Sequence, residues 1–305
     1  MKPRSIRLPR VTHKKRLRRM TVCIGALADD SKAIVCVADR CIAYSEYVTG
    51  DTDSVKILPL GENGLHVLIA GGDASIGRVL SKLVIHDDLG KNKETTKGYC
   101  ESAYRDAEQE ILGLKFLSPF LTPKDYGEAL LKPQVNDVIK SIAEKIQNER
   151  SESSGESIFS CALILCGFDD KRKPFLLDLA PPGICTDMTL SGFCATGSGA
   201  GYALKHLLAD DGWKRTYPVD RALYELFDAK IQAEDDPAVG YDSDLIVLTP
   251  GKSTPVPDDI KTMLDRAWIK LNRSPYVTFN PDEHIPLPPE DWMVKLKTFA
   301  ESIKT

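Results

Sequence analysis

From Thr21 onward the chain alternates short apolar runs with small polar clusters. TVCIGALA (21–28) and AIVCVADRC (33–41) flank the polar DDSK, a pattern that predicts a β-hairpin. A turn centred on Asp30–Ser31 makes the numbers of facing residues sum to 61, which sets Thr21 opposite Arg40 and beside Asp39. SVKILPL (54–60) and LHVLIAGG (65–72) flank GEN and predict a second hairpin. DASIGRVLSKLV then opens on Asp73, a good N-cap, and has apolar residues at 76, 79, 80, 83 and 84, the spacing of one helix face.

Residues 86–133 are polar and broken by Gly and Pro, with one helix expected around 100–114. QVNDVIKSIAEKIQNE (134–149) predicts a further helix. After the polar RSESSGES, strands are expected in IFSCALILCGFD, KPFLLDLAP and GFCATG. Two helices follow in GAGYALKHLLAD and VDRALYELFDAKIQAED, and SDLIVLTP reads as a closing strand. Strands and helices thus come in clusters rather than in strict alternation, which points to an α+β fold with antiparallel sheets. Beyond Pro250 the chain is Pro-rich and amphipathic. The expected organisation is a basic leader (1–20), a main domain (21–250) with an insertion near 86–133, and an appended helical extension (251–305).

Composition narrows the classes. The chain has 305 residues, is 42% hydrophobic and has a net charge of −4. Nine Lys/Arg and no acid lie in residues 1–20, leaving 31 basic against 44 acidic side chains in the rest. An acidic body argues against a nucleic-acid surface. No run approaches the ~18 apolar residues of a membrane span, and the leader lacks a secretory signal's apolar middle. The eight cysteines show no Cys-x-x-Cys, and reduced, packed thiols in a cytoplasmic protein are the expected reading. Five scattered histidines give no support for a metal, and no cofactor is expected.

Asp39 ends an apolar run next to Thr21, and buried carboxylates need partners, for which Lys56 within VKIL is a candidate. Taken singly, each also reads as a solvated surface charge. As a set they suggest more. A threonine at a chain start can use its own amine, with pKa near 8, as general base. A lysine would stabilise the alkoxide, an aspartate would fix the lysine, and backbone N–H groups of AGG (70–72) could hold an oxyanion. GSGAGYALKH lacks both the Gly-Lys-Ser/Thr ending of a P-loop and the acid of a dinucleotide fingerprint, so it does not read as a phosphate loop.

With TVCIGALADDSKAIVCVADR, SVKI, IAGGDAS, ATGSGAGYALKHLL and AEDDPAVG, the chain from Thr21 to Thr249 resembles the proteasome β-subunits and their bacterial relatives, N-terminal nucleophile hydrolases of the threonine peptidase kind. The resemblance implies a four-layer αββα sandwich. It places the nucleophile at Thr21, the charged pair at Asp39 and Lys56, and the oxyanion glycine at Gly71. Ser198 and Asp236 fall where the family has groups bonding the terminal amine, and Ile69 and Gly72 where substrate would lie. It further implies a homo-oligomeric ring, polypeptide substrates and an ATP-driven unfoldase. Met20 stands where self-cleaving members have glycine. The expected route to a free Thr21 amine is therefore initiation at Met20, or processing to it, followed by methionine removal. Two other readings stay open: a non-catalytic scaffold of the same fold, and an amidase acting on a small molecule.

Overall fold

The computed structural model describes residues 21–45, 48–51, 55–61, 64–71, 73–116, 161–209, 212–236, 239–271 and 291–304. The helix expected at 134–149 lies outside them, as does Gly72.

β1 (Cys23–Ala28) and β2 (Ala33–Asp39) form the first hairpin. Its register pairs Cys23 with Ala38 and Ala28 with Ala33, so facing numbers sum to 61 as the turn chemistry required. Asp29, Asp30 and Ser31 carry the left-handed backbone of that turn. β3 (Cys41–Ser45) pairs with β4 (Val48–Asp51) in a small separate ladder. β5 (Ile57–Leu60) and β6 (Leu65–Gly71) make the second expected hairpin. α1 (Asp73–Leu83) and α2 (Lys93–Phe116) follow. α2 begins earlier than its apolar spacing suggested, because the Asn92 side chain accepts from the amides of Glu94 and Thr95 at 2.9 and 3.1 Å.

The second half supplies β7 (Cys161–Phe168), β8 (Pro174–Ala180), β9 (Ile184–Asp187) and β10 (Phe193–Thr196). α3 (Ala200–Leu207) and α4 (Val219–Ala233) precede β11 (Ser243–Thr249) and β12 (Lys252–Pro255). α5 (Asp258–Leu271) and α6 (Trp292–Lys304) end the described chain. Two antiparallel five-stranded sheets result, with orders β10-β1-β2-β11-β12 and β5-β6-β7-β8-β9.

Three cores define the layers. Cys23, Leu27, Ile34 and Cys36 of one sheet meet Leu68, Ile164, Cys166 and Leu176 of the other between the sheets. The outer face of the second sheet packs on α1 and α2 through Val67, Leu163, Leu177, Val79 and Tyr104. The outer face of the first packs on the remaining helices through Ile24, Val35, Val247, Leu223 and Leu226. The architecture is thus an α+β sandwich of four layers, αββα, as expected. β1 and β2 are buried on both faces, which is why they read as unbroken apolar runs.

Residues 252–271 and 291–304, expected within an appended extension, pack into this sandwich. β12 extends the first sheet, and Ile260, Met263 and Leu264 of α5 join Leu296, Ala300 and Ile303 of α6 in the core over α4. An amphipathic pattern shows that a helix has an apolar face but does not name what covers it.

Candidate active site

The antiparallel register brings residues far apart in sequence to one end of the sandwich. Thr21 lies just before β1 and Asp39 ends β2, where its amide donates to the Val22 carbonyl at 3.1 Å. Lys56 enters from the other sheet, immediately before β5, and its carbonyl accepts from the Ile69 amide on β6 at 3.0 Å. All three side chains are buried: Thr21 is 7%, Asp39 0% and Lys56 6% exposed.

Their bonding is specific. Lys56 Nζ donates to Thr21 Oγ1, and Thr21 Oγ1 donates to Asp39 Oδ1. Lys56 Nζ also pairs with Asp39 Oδ1 at 2.9 Å, and the Val22 amide donates to the same oxygen at 2.9 Å. Asp39 Oδ2 accepts from the amides of Cys41 and Gly240, each at 3.1 Å. A fully buried carboxylate is tolerated only when its lone pairs are used, and here five donors meet it. The hydroxyl of Thr21 thus stands between an ammonium that favours its alkoxide and a carboxylate that can take its proton's hydrogen bond.

Cys23 lies beside this triangle. Its Sγ donates to the Ile69 carbonyl at 3.3 Å, tying β1 to β6 across the sheets. Burial pushes the Cys23 thiol up to about 12, against the pull of the Lys56 ammonium, so it stands as an uncharged packing group. Gly71 ends β6 opposite Cys161, with φ 132°, and is half-buried. Ile69 is half-buried as well and packs toward the α1–α2 core.

The loop after β10 covers the main chain of Thr21. The Gly199 amide donates to the Thr21 carbonyl at 3.2 Å. Gly197 has φ 92°, and a Cβ there would fall 2.2 Å from that carbonyl oxygen, so the position demands glycine both by dihedral and by space. Ser198 sits between them with its side chain exposed, and makes no hydrogen bond among the described residues. Asp236 is buried in the turn after α4, four residues before the Gly240 amide that reaches Asp39. The structure therefore joins Thr21, Asp39 and Lys56 directly. Gly71 and Ile69 lie on the adjoining strand, and Ser198 and Asp236 on the two loops nearby.

Sequence reasoning did not single out Gly197, Gly240 or Cys23. Gly197 was visible as part of the GSG turn. Gly240, just ahead of the closing strand, carried no signal of its contact with a residue two hundred positions earlier.

Among the described residues, no three or more His, Cys, Asp or Glu are grouped to hold a metal ion, and no helix is long and apolar enough to cross a membrane.

The fold class follows from the architecture together with one family match. The family model described as Proteasome subunit matches residues 129–228, which among the described elements spans β7 to most of α4 and includes Ser198. No curated protein matches the chain in sequence. Two facing antiparallel sheets between helix layers, with this match in the second half, make the fold that of the N-terminal nucleophile hydrolases. Over the matched residues the chain is similar to the proteasome subunits. Thr21, Asp39, Lys56, Gly71 and Asp236 all fall outside the matched residues, so their geometry speaks independently of the match.

Proposed function

We propose that the chain is a threonine-type endopeptidase that cuts unfolded polypeptides inside a ring of its own copies. The observation that carries this is the Thr21 hydroxyl bonded to both Lys56 and Asp39 in a buried triangle. Lys56 stabilises the alkoxide as the hydroxyl loses its proton, and Asp39, fixed by three main-chain amides, holds both. In the mature chain the free α-amine of Thr21 is the general base, near pKa 8 when unperturbed. The hydroxyl attacks the scissile carbonyl, the Gly71 N–H takes the developing oxyanion, and the amine returns its proton to the leaving nitrogen. Water then resolves the ester on Thr21. Ser198 and Asp236 serve the terminal amine, and Ile69 and Gly72 border the bound substrate. The eight free, buried thiols support a cytoplasmic setting. Delivery of substrate by an ATP-driven unfoldase is part of the same reading.

A second reading rests on Met20. While residue 20 is attached, the nitrogen of Thr21 is an amide with no basic lone pair, and the chain is an inactive scaffold or zymogen. Intact mass and labelling by a peptide epoxyketone separate the two. The enzyme reading expects a chain beginning at Thr21 that gains one inhibitor mass. Thr21→Ala should lose labelling and peptide turnover entirely while eluting at the same assembled size. Turnover that survives Thr21→Ala refutes the assignment, and an active monomer acting on small amides would favour the amidase reading instead.

A further inference from the structure

α4 carries a second buried charge that the chemistry above does not use. Lys230 is 0% exposed, the sole charged side chain among the largest fully buried ones of the described residues. Its Nζ pairs with Glu234 Oε1 at 2.8 Å, one helical turn on, and donates to the Tyr241 carbonyl at 2.5 Å. These two contacts grip opposite ends of the loop between α4 and β11. That loop contains Asp236, and its Gly240 amide donates to Asp39 Oδ2 at 3.1 Å. The Arg40 amide donates to the Asp242 carbonyl at 3.0 Å, so the loop's exit is stitched to the residue following Asp39. Val239 packs beneath Gly199, the residue that binds the Thr21 carbonyl.

An ammonium with no exposure is costly and is kept where its partners need it in one place. From this we infer that Lys230 is a positioning residue for the Thr21 chemistry. Bridging Glu234 and Tyr241, it fixes the two sides of this turn so that the Gly240 N–H meets Asp39 Oδ2. Asp39, in turn, orients Lys56 and the hydroxyl. The inference rests on Thr21 being the nucleophile.

The test compares the mature assembled protein with Lys230→Met/Glu234→Gln, which removes both charges together, and with Lys230→Arg, which keeps a cation. A fluorogenic peptide gives kcat and KM, and a peptide epoxyketone gives the labelling rate of Thr21. The double variant is expected to lose roughly tenfold or more in kcat and labelling rate, with KM within about twofold, because misplacement of the reacting groups weakens the chemical step. Lys230→Arg should recover most of the loss. A folded, assembled double variant with wild-type kcat overturns the inference, and so does a loss confined to KM. Hydrogen exchange on the unaltered protein tests it without any substitution. The Gly240 amide should be as protected as the β1 amides, and exchange at the rate of an open loop overturns the clamp. If wild-type protein fails to label at Thr21, the nucleophile reading fails, and Gly240 protection then judges the clamp separately.

Discussion

Among the described residues two lysine–carboxylate pairs lie buried in this sandwich, and they differ in their third partner. Lys56 meets Asp39 at 2.9 Å and Lys230 meets Glu234 at 2.8 Å. Both lysines are withdrawn from water, and both carboxylates are nearly or wholly buried. The Lys230 ammonium spends its further reach on a backbone carbonyl, which cannot ionise, so the result is a fixed loop. The Lys56 ammonium spends its reach on a hydroxyl, whose deprotonation it favours. Geometry of the ion pair alone does not distinguish a reactive centre from a clamp; the group placed against the pair does. The carboxylates differ too. Asp39 gathers main-chain amides from Val22, Cys41 and Gly240, so it stays solvated by protein even without its lysine.

Removing Lys56 should show the contrast at its largest. Lys56→Met is expected to reduce kcat on the order of 10³-fold, as losing a preorganised positive group does. Stability should fall by about 2–3 kcal/mol, at or below the usual range for breaking a buried pair, because four donors remain on Asp39. Peptide turnover and denaturant unfolding measure the two effects. A Lys56→Met protein that keeps its turnover would make the first pair structural, like the second.

A smaller effect isolates the hydroxyl while leaving both charges in place. Gly197→Ala puts a Cβ where the Thr21 carbonyl now stands, at a backbone angle that suits only glycine. Thr21 must shift, and the pair then closes on itself. The expected outcome is a loss of roughly 10–100-fold in epoxyketone labelling, with a lowered Tm. Gly201→Ala is the control. A Cβ at Gly201, on α3, meets nothing within 4 Å, and its backbone is helical, so it should leave labelling unchanged and raise stability by about 0.5–1 kcal/mol. Equal effects from the two glycines would show that the loop over Thr21 has no bearing on the hydroxyl.

The two pairs also differ in how far the sequence reveals them. The meeting of Thr21 with Asp39 was legible, because DDSK between two apolar runs fixes the hairpin and its register. Lys56 could be matched to Asp39 because a charge inside an apolar run needs a partner. The two-sheet sandwich was legible from the clustering of the strands. Lys230 was not, because α4 is buried on nearly every side, between the first sheet and the C-terminal helices, and an amphipathic reading assigns its lysine to a solvated face. The link from Gly240 to Asp39 depends on β11 pairing with β2, a long-range choice that no local pattern announces. β9 (ICTD) and β12 (KSTP) escaped notice as short, half-exposed edge strands. The length of α2 was hidden by its polar surface and by a cap at Asn92 that lies outside the apolar spacing.

A carboxylate with no lysine at all completes the comparison and gives its smallest effect. Asp178 lies on β8, on the strand face that Leu176 turns toward the other sheet, and its Oδ1 is buried with no hydrogen-bond partner among the described residues. Burial raises its pKa above the ordinary carboxylate value. The folded state therefore binds this proton more tightly than the unfolded chain does. The resulting stability is fully present below about pH 4, the unfolded value, and is lost as pH rises through the higher folded value. At neutral pH the ionised side chain is a burden with neither an ammonium nor a row of amides among the described residues to offset it, unlike Asp39. Asp178→Asn removes the charge at constant shape and should raise Tm at pH 7 by about 1–3 °C. The gap between variant and wild type should shrink as pH falls toward 4. Thermal unfolding of both proteins from pH 3 to 7 measures it. A variant less stable than wild type at pH 7 would mean that Asp178 is held by a cation after all, and the sandwich would then contain a third pair rather than the exception that defines the other two.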